Sequence, residues 1–519
     1  MTAGGYLLAL DNGTQSVRAI LFDAEGNLVA RSKVSIEPYF SDRPGYAEQH
    51  ADYFWESACK ALRALWAESG IDPSLVAGVG VTTQRGTIIA VDREGKPLRP
   101  ALSWLDQREA EGLAPMPAPW PALFTVIGEA GTIDYLRRQA ECNWIAKNEP
   151  ELWARTHKLL LLSGYHTFKL TGRFADSVGC QVGYLPFDYK RLEWCRPRDW
   201  KWHAMAVRRE QLPDLVKPGQ RIGAVTREAS LATGLVEGTP VIAAGADKAC
   251  EVLGSGCVEP DVGCISYGTT ATINAANRRY VEPVPLIPPY PAAVPDSYNT
   301  EVQVQRGFWM VEWFKQQFGA AEVIEAEKRG VPAEALFDEM IADVPAGSMG
   351  LVLQPYWTPG IRQPGREAKG AIIGFGDVHT RAHVYRAILE GLAYGLRDGA
   401  ERIEKRAGVR MHRLRISGGG SQSAEAMQIT ADVFGLVAER PHTYETSALG
   451  ASMCVAVGLG LHPGFDAAVA KMTRTGDSFT PRPEATRIYD QLFRRVYRPM
   501  YGRLQPLYEA IRDITGYPR

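Results

Sequence analysis

The stretch Tyr6-Leu-Leu-Ala-Leu-Asp11-Asn-Gly-Thr-Gln-Ser-Val-Arg18-Ala-Ile-Leu-Phe-Asp23 opens the chain with two apolar runs separated by a short polar loop. Two such runs around an Asn-Gly pair are typical of a β-hairpin. A carboxylate, Asp11, ends the first run, and amide and hydroxyl groups follow it. The pattern predicts a hairpin that begins a sheet, with a loop able to wrap a phosphate and a carboxylate able to face a metal ion. An ordinary hairpin turn is the alternative.

The residues after this hairpin continue with strands and helices in alternation. We predict a strand at residues 28–34, an amphipathic helix at residues 52–69 and a buried strand at residues 76–82. In the helix, apolar side chains recur at the spacing that places them on one face. Alternating strands and helices indicate an α/β fold in which helices cover a mixed sheet.

The same pattern of strand, loop and strand returns past the middle of the chain. The run Val262-Gly-Cys-Ile-Ser-Tyr-Gly-Thr-Thr-Ala-Thr-Ile-Asn274 sets a Gly-Thr loop between two apolar segments. The separation of the two hairpins is far too long for a solenoid repeat, so we expect two duplicated lobes, at residues 1–258 and 259–519. The proline-rich residues 284–295 are predicted to form an irregular excursion.

Composition excludes several classes of protein. At about 100 to 200 residues per domain, the 519 residues suffice for several domains, and the formal net charge of −1 argues against a nucleic-acid partner. The eight cysteines lack zinc-ligand spacing and are expected to be reduced thiols. No leader pattern precedes Tyr6, and no apolar run approaches the roughly 20 residues of a membrane helix. We expect a cytoplasmic protein without a membrane partner.

A third signal lies between the two hairpins. Val241-Ile-Ala-Ala-Gly-Ala-Asp247 runs a buried strand into a turn of small residues that ends in a carboxylate. In phosphoryl transfer a carboxylate accepts the proton of the attacking hydroxyl. Asp247 is therefore the candidate general base, and capping of the following helix is the alternative, compatible role.

A glycine-rich segment follows a predicted strand at residues 414–417. The sequence Ser417-Gly-Gly-Gly-Ser-Gln-Ser423 lets the backbone approach a flat ligand closely before a helix begins. We interpret it as an adenosine pocket. The alternative is a plain strand-to-helix turn.

Taken together, these residues resemble the FGGY carbohydrate kinases, which include glycerol kinase, xylulokinase and ribulokinase. The resemblance covers about residues 6–460. It rests on six ordered motifs: Asp11-Asn-Gly-Thr-Gln-Ser-Val-Arg18, Leu98-Arg-Pro-Ala-Leu-Ser-Trp104-Leu-Asp106-Gln-Arg108, Ala244-Gly-Ala-Asp247, Tyr267-Gly-Thr-Thr270, Gln354-Pro-Tyr356 and Ser417-Gly-Gly-Gly-Ser-Gln-Ser423.

The resemblance implies two actin-like, ribonuclease H-like lobes, each a mixed β-sheet flanked by helices, that close on MgATP and a sugar or polyol. It assigns Asp247 as catalytic base, and Asp11 together with Asp247 to Mg²⁺. The implied nucleotide-binding residues are Thr14, Gln15, Ser16, Arg18, Gly268, Thr269, Gly307, Gly418, Gly419 and Gln422. The implied acceptor-binding residues are Gln84, Arg85, Trp104, Asp106 and Asp247.

Within that implied pocket, Trp104 is expected to lay its ring against the C–H face of a polyol while Arg85 and Asp106 hold hydroxyl groups. A buried core position is the alternative for this tryptophan.

Departures from the family's motifs bear on the acceptor. Glycerol kinases carry a glutamate where this chain has Gly86, and its loss disfavours a short triol. Xylulokinases carry Gln-Met-His at this point, and here only Gln84 agrees. Lys248 directly after the base and the segment Ala175-Asp-Ser-Val-Gly-Cys180 also differ.

The resulting prediction is an ATP-dependent kinase of a ketopentose, related ketose or polyol, with glycerol or another short polyol as the alternative acceptor. Two rival classes are an actin-fold ATPase without a sugar acceptor and a non-catalytic sugar sensor. A homodimer is common among similar proteins.

Overall fold

Two mixed β-sheets organise the computed structural model, which describes residues 5–284, 287–360 and 364–517. The first is six-stranded and has the order β5-β6-β4-β1-β2-β3. Its strands are β1 (Tyr6–Asn12), β2 (Ser16–Phe22), β3 (Leu28–Ser35), β4 (Val76–Thr83), β5 (Arg221–Ala224) and β6 (Pro240–Ile242). The predicted opening hairpin is thus confirmed, with β1 and β2 antiparallel around the Gly13 turn.

Helix α1 (Ala51–Ser69) covers one face of this sheet because its apolar residues share one side. Phe54, Ala58, Ala61, Leu62 and Leu65 are all buried in the same core as the strands. The helix ends at Gly70, whose left-handed φ of 67° suits glycine. Helix α2 (Leu162–Thr171) packs beside it.

The second sheet is seven-stranded and has the order β9-β10-β8-β7-β11-β12-β13. Its strands are β7 (Val262–Tyr267), β8 (Ala271–Asn277), β9 (Tyr290–Pro291), β10 (Tyr298–Val304), β11 (Arg413–Ser417), β12 (Val437–Pro441) and β13 (Thr475–Phe479). The prediction of an irregular excursion at residues 284–295 is only partly right, because β9 pairs with β10 at the sheet edge. Residues 285–286 lie outside the described residues.

Both sheets share one pairing pattern. From β3 to β5, successive strand pairs are antiparallel, antiparallel, parallel, parallel and antiparallel. From β10 to β13, the pairs follow the same succession. The expectation of two similar α/β lobes is confirmed by this repeat.

Helices α3 (Asp247–Gly254), α4 (Arg381–Ala407), α5 (Ala424–Phe434) and α6 (Thr446–Gly458) pack against the sheets or between them. The shorter strands are Glu48–Gln49, Ile88–Val91, Ala101–Leu102, Lys158–Leu161, Ala175–Ser177, Phe187–Asp188, Glu193–Trp194, Asp214–Val216, Val352–Gln354 and Ala371–Ile373. The remaining α-helices are Trp120–Val126, Ala130–Gln139, Glu141–Asn148, Pro150–Arg155, Lys201–Ala204, Arg227–Thr233, Trp309–Phe318, Ala320–Arg329, Ala333–Ile341, Phe465–Met472, Pro483–Leu492 and Arg498–Thr515. Within the described residues, none of the helices has the length and apolar character needed to span a membrane.

Helices α3 and α6 cross where the lobes meet. Although α6 belongs to the second half of the chain, it packs on β1 and β4 of the first sheet. A Cβ atom on Gly254 would lie 1.9 Å from the carbonyl oxygen of Thr446, and one on Gly450 would lie 1.9 Å from that of Cys250. The two backbones are therefore in direct contact, and only glycine fits at the crossing.

Gly450→Ala tests this crossing. The added methyl group must push the two helices apart, and such overpacking costs about 1–3 kcal/mol. Gly502→Ala is the matched control, because Gly502 also lies inside a helix but has open space around its Cβ position. There the higher helix propensity of alanine is expected to add up to about 1 kcal/mol. Urea denaturation followed by tryptophan fluorescence should give midpoints that shift in opposite directions, and equal shifts would contradict a tight crossing.

Candidate active site

Asp247 is the first residue of α3 and follows the end of β6. The capping position of α3 is occupied by Ala246, whose side chain cannot accept a hydrogen bond. Asp247 therefore does not cap this helix. Asp247 Oδ1 accepts the Lys248 N–H at 2.7 Å and lies 4.0 Å from Arg85 Nε. Burial raises the pKa of Asp247, and the charges of Arg85 and Lys248 oppose the rise. The Asp247 carboxylate can thus accept a proton while the Arg85 guanidinium lies next to it.

Asp11 and Arg18 form an ion pair at the first loop. They face each other across β1 and β2, and Arg18 Nη2 donates to Asp11 Oδ2 at 2.6 Å. Arg18 Nη1 donates at 2.7 Å to Glu445, which immediately precedes α6. Burial raises the pKa of Asp11 to about 6 against the effect of Arg18, and the carboxylates of Asp247, Glu445 and Glu251 raise it further. The Asp11 carboxyl therefore lies within electrostatic range of three other carboxylates.

This acidic region is suited to Mg²⁺. Among the described residues, no group of three or more acidic, histidine or cysteine side chains could enclose a metal ion. Mg²⁺ usually keeps several waters and takes one or two carboxylates together with substrate phosphates. The mutual repulsion of Asp11 and Asp247 is what such a cation would relieve.

Trp104 joins the first loop to the implied acceptor pocket. Its indole N–H lies 3.1 Å from Thr14 Oγ1 and 3.2 Å from Gln84 Oε1. The residue is 44% exposed, so its ring faces the cleft and the core alternative is wrong. The structure thus brings together three residues whose motifs are far apart in sequence.

Asp106, in contrast, has no free oxygen for a sugar. Oδ1 accepts the backbone and Nε hydrogens of Arg108, and Oδ2 accepts hydrogens from Arg108 Nη2 and the Ala47 backbone. The geometry does not support Asp106 as an acceptor ligand. It supports the turn that follows Trp104.

The second loop packs against two other parts of the second lobe, the segment at Gly307 and the glycine-rich segment at Gly418. The carbonyl oxygens of Gly268 and Thr269 accept the N–H groups of Phe308 and Trp309. A Cβ on Gly307 would lie 2.2 Å from Ala271 N, and one on Gly418, whose φ is +84°, would lie 2.7 Å from the carbonyl oxygen of Tyr267. Both glycines are thus required by close backbone approach.

The side chains expected at the nucleotide are accessible. Thr269 and Gln422 are exposed on the second lobe, and Gly419 has open space at its Cβ position. Gln15 is exposed and Ser16 is half-buried on the first loop. Both loops therefore present groups to a ligand in the cleft.

Sequence reasoning missed the second lobe's contribution to the pocket beside Asp247. Glu301 on β10 accepts two hydrogen bonds from Arg85, at 3.0 and 3.3 Å, and the Arg85 guanidinium lies 4.9 Å from the centre of the Tyr290 ring. Asn274 and Asn299 also line this pocket. The Oδ1 atoms of both asparagines are buried without a hydrogen-bond partner. The sequence signal that could have revealed this contribution is the presence of polar residues at alternate positions of a buried strand.

His166 is another missed residue. Its Nε2 lies 2.9 Å from Asn12 Oδ1, and because an amide oxygen only accepts, the ring nitrogen donates. Burial lowers the pKa of His166 to about 3, so the ring is neutral. Asn12 Nδ2 in turn donates to the Gly13 carbonyl oxygen. The buried histidine thus holds the first loop from behind.

The segment 175–180 supports the turn that carries Asp247. Asp176 Oδ2 accepts hydrogen bonds from Ser163 and Gln181, both at 2.9 Å. Ser177 Oγ donates to the Ala244 carbonyl oxygen, and Ala246 N donates to the Gly179 carbonyl oxygen at 3.0 Å. Burial raises the pKa of Asp176 to about 7.

Two similar α/β lobes with a polar pocket beside Asp247 are the arrangement of the actin-like, ribonuclease H-like class of two-lobed proteins. Family models for the N-terminal and C-terminal domains of the FGGY family of carbohydrate kinases match residues 6–254 and 263–459. The chain therefore belongs to the FGGY family of carbohydrate kinases. It is a sugar phosphotransferase that uses ATP, as the family implies.

Relatives and solved structures agree with this assignment. A xylulose kinase of Lactococcus lactis is 29% identical over 502 residues, which are 96% of this chain and 96% of the relative. A protein of Escherichia coli K12 named as an uncharacterized sugar kinase is 27% identical over 503 residues, 95% of this chain and 93% of the relative. The crystal structure of a xylulose kinase from Rhodospirillum rubrum matches with a TM-score of 0.78 at 25% identity and covers 97% of this chain and 100% of that one. The predicted family and fold class are confirmed.

Asp176→Asn tests the buried carboxyl through the pH dependence of stability. The folded-state pKa of about 7 lies above the value of about 4 in an unfolded chain, so folding favours the protonated form. This contribution is complete below about pH 4 and is lost as the pH rises through about 7. Because the amide does not titrate, the melting temperature of the variant relative to wild type should rise between about pH 5 and about pH 8. A constant difference would contradict the raised pKa.

Proposed function

We propose that the protein transfers the γ-phosphoryl group of ATP to a hydroxyl of a ketopentose, a related ketose or a polyol. The observation that carries this proposal is the convergence of three elements on one cleft. Asp247 is close enough to Asp11 for its charge to raise the pKa of Asp11. Lys248, next to the base, donates at 2.7 Å to Ser266, which directly precedes the second loop. Three segments from distant parts of the sequence thus surround one space.

Each residue in the cleft has a proposed role. Asp247 accepts the proton of the acceptor hydroxyl, since a carboxylate with a raised pKa is a better base than an ordinary one. Arg18 supplies positive charge to the phosphates, and Thr14, Thr269 and the neighbouring amides position them. Asp11 and Asp247 would hold Mg²⁺, which neutralises charge on the phosphates when bound.

The remaining expected nucleotide contacts form the rest of the proposal. Gly268, Gly307, Gly418, Gly419 and Gln422 line the part of the second lobe that would take the adenosine and the distal phosphates. We propose the lobe boundary at residues 258 and 259, between the last strand of the first sheet and the first strand of the second.

The acceptor pocket is proposed to use both lobes. Trp104 and Gln84 offer a ring face and an amide from the first lobe, while Glu301, Asn274 and Asn299 offer acceptors from the second. Gly86 carries no side chain beside Trp104, so the space taken by a glutamate in glycerol kinases is open. A chain longer than a triol can occupy this space and reach the second lobe. This geometry favours a ketose over glycerol, in keeping with the xylulose kinases among the relatives.

Asp247→Asn tests the base. We expect turnover in an ADP-release assay to fall about 10²- to 10⁴-fold, because the amide cannot accept the proton. Asp513→Asn is the control, since Asp513 is exposed on the last helix and its loss should leave turnover unchanged. The assay is run across ketoses, polyols and glycerol, followed by identification of the phosphorylated carbon. Near wild-type turnover of Asp247→Asn would remove this residue from the mechanism, and ADP release independent of every acceptor would favour an ATPase.

Glu301→Gln tests the second lobe's part in acceptor binding. Loss of a charged acceptor should lower kcat/KM for the best ketose about tenfold or more, because hydrogen bonds to charged groups contribute about 1.5–3 kcal/mol. The KM for ATP should stay unchanged. Glu439→Gln is the matched control, because Glu439 also pairs with an arginine, Arg415, on the second sheet. Unchanged kcat/KM for Glu301→Gln, or an equal loss in the control, would rule out the two-lobe pocket.

A further inference from the structure

Helix α3 carries a largely buried ion pair directly behind the proposed base. Lys248 and Glu251 lie on the turn that follows Asp247, and Lys248 Nζ donates to Glu251 Oε2 at 2.6 Å. Their side chains are 22% and 7% exposed. Burial opposes both charges, but the Glu251 carboxylate holds the pKa of Lys248 above its ordinary value, and the Lys248 ammonium holds the pKa of Glu251 below its own. Both residues are therefore charged.

Each member of the pair also binds a serine of the second sheet. Lys248 Nζ donates at 2.7 Å to Ser266 Oγ, and Ser417 Oγ donates at 2.6 Å to Glu251 Oε1. Ser266 and Ser417 face each other across the parallel strands β7 and β11, and both are buried. The four side chains form one connected network between α3 and the second sheet.

The positions of the two serines relate this network to the nucleotide loops. Ser266 precedes Tyr267-Gly268-Thr269, and Ser417 ends β11 immediately before Gly418. The helix that begins with the base is therefore hydrogen-bonded to the first residues leading into both nucleotide segments of the second lobe. A shift of either loop must move, or break its bond to, the helix that carries Asp247.

Stability alone gives little reason for such a pair. Replacing a buried ion pair by apolar side chains of similar size is often neutral or stabilising, because both charges must be desolvated. The pair does fix the orientation of the helix, because its hydrogen bonds form only when the helix and the strands have one relative position.

We propose that Lys248 and Glu251 are positioning residues that couple the nucleotide loops of the second lobe to the base-bearing helix. When a nucleotide binds and fixes the two loops, the network holds Asp247 at the distance from the γ-phosphate that the reaction needs. The inference rests on the proposed function, because it takes the two loops as the nucleotide site.

The Ser266→Ala/Ser417→Ala double variant tests this coupling. It removes both hydroxyl links and leaves the ion pair and Asp247 in place. Ser348→Ala is the matched control, because Ser348 Oγ also donates from a buried serine to a buried carboxylate of the second lobe, Glu390, at 2.9 Å. Lys248→Arg, which keeps the charge and donor groups, serves as the conservative variant.

Amide hydrogen exchange with and without MgADP is the first measurement, and it needs no acceptor. In wild type and in Ser348→Ala, MgADP should slow exchange in residues 268–270 and 418–422 and also in α3. In the double variant, both loops should remain protected while the protection of α3 falls about fivefold or more, because each of the two lost hydrogen bonds accounts for about a factor of five. Equal protection of α3 in the double variant and in wild type would overturn the inference.

Steady-state kinetics give the second measurement. The double variant should lose kcat about tenfold while the KM for ATP changes less than about twofold, the pattern expected when a group acts in the transition state and not in nucleotide binding. Lys248→Arg should keep most of the wild-type kcat, and Ser348→Ala should keep all of it. An equal loss of kcat in Ser348→Ala would show that the network has only a structural role. If MgADP protects neither loop in wild type, the nucleotide assignment itself fails, and the inference falls with it.

Discussion

The crossing of α3 and α6 is the constraint on which the cleft depends. Because Gly254 and Gly450 allow backbone contact, the two helices meet at a fixed point between the lobes. Each helix follows a strand of its own sheet, and each begins beside the cleft. The crossing thereby places Asp247, at the start of α3, and Glu445, just before α6, around the end of β1 where Asp11 lies. Two glycines that let the helix backbones touch thus help to bring carboxylates from both halves of the chain together.

Such a concentration of negative charge would be costly without cations, since an unpaired buried charge is strongly destabilising. Several cations meet this need and also link the lobes, among them Arg18, Arg85 and Lys248. Arg18 joins Asp11 to Glu445, Arg85 joins the Asp247 region to Glu301, and Lys248 joins α3 to Ser266. Phosphates and acceptor hydroxyls would compete for these same cations. The electrostatics that hold the lobes together are thus the ones that a substrate can rearrange.

The support of the site is distributed through the first lobe in a similar way. His166 holds Asn12 behind the first loop, Asp106 holds the turn after Trp104, and Asp176 with Ser177 holds the turn before Asp247. None of these side chains faces the cleft with a free polar atom. Precise placement of the reacting groups depends on such buried supporting side chains.

The sequence by itself determined the hairpins, the α/β class, the duplication and the position of Asp11, Asp247 and the glycine loops, because turns and strand periodicity are local properties. Gly418 was recognisable because it opens a run of three glycines after a predicted strand, although its close approach to Tyr267 was decided by the tertiary structure. Only the tertiary structure decided that Trp104 faces the cleft, that Asp106 is fully engaged by Arg108 and Ala47, and that Glu301 pairs with Arg85. Those outcomes depend on contacts between residues far apart in sequence, formed only after the lobes pack. Burial and partner choice at such positions leave no local pattern in the chain.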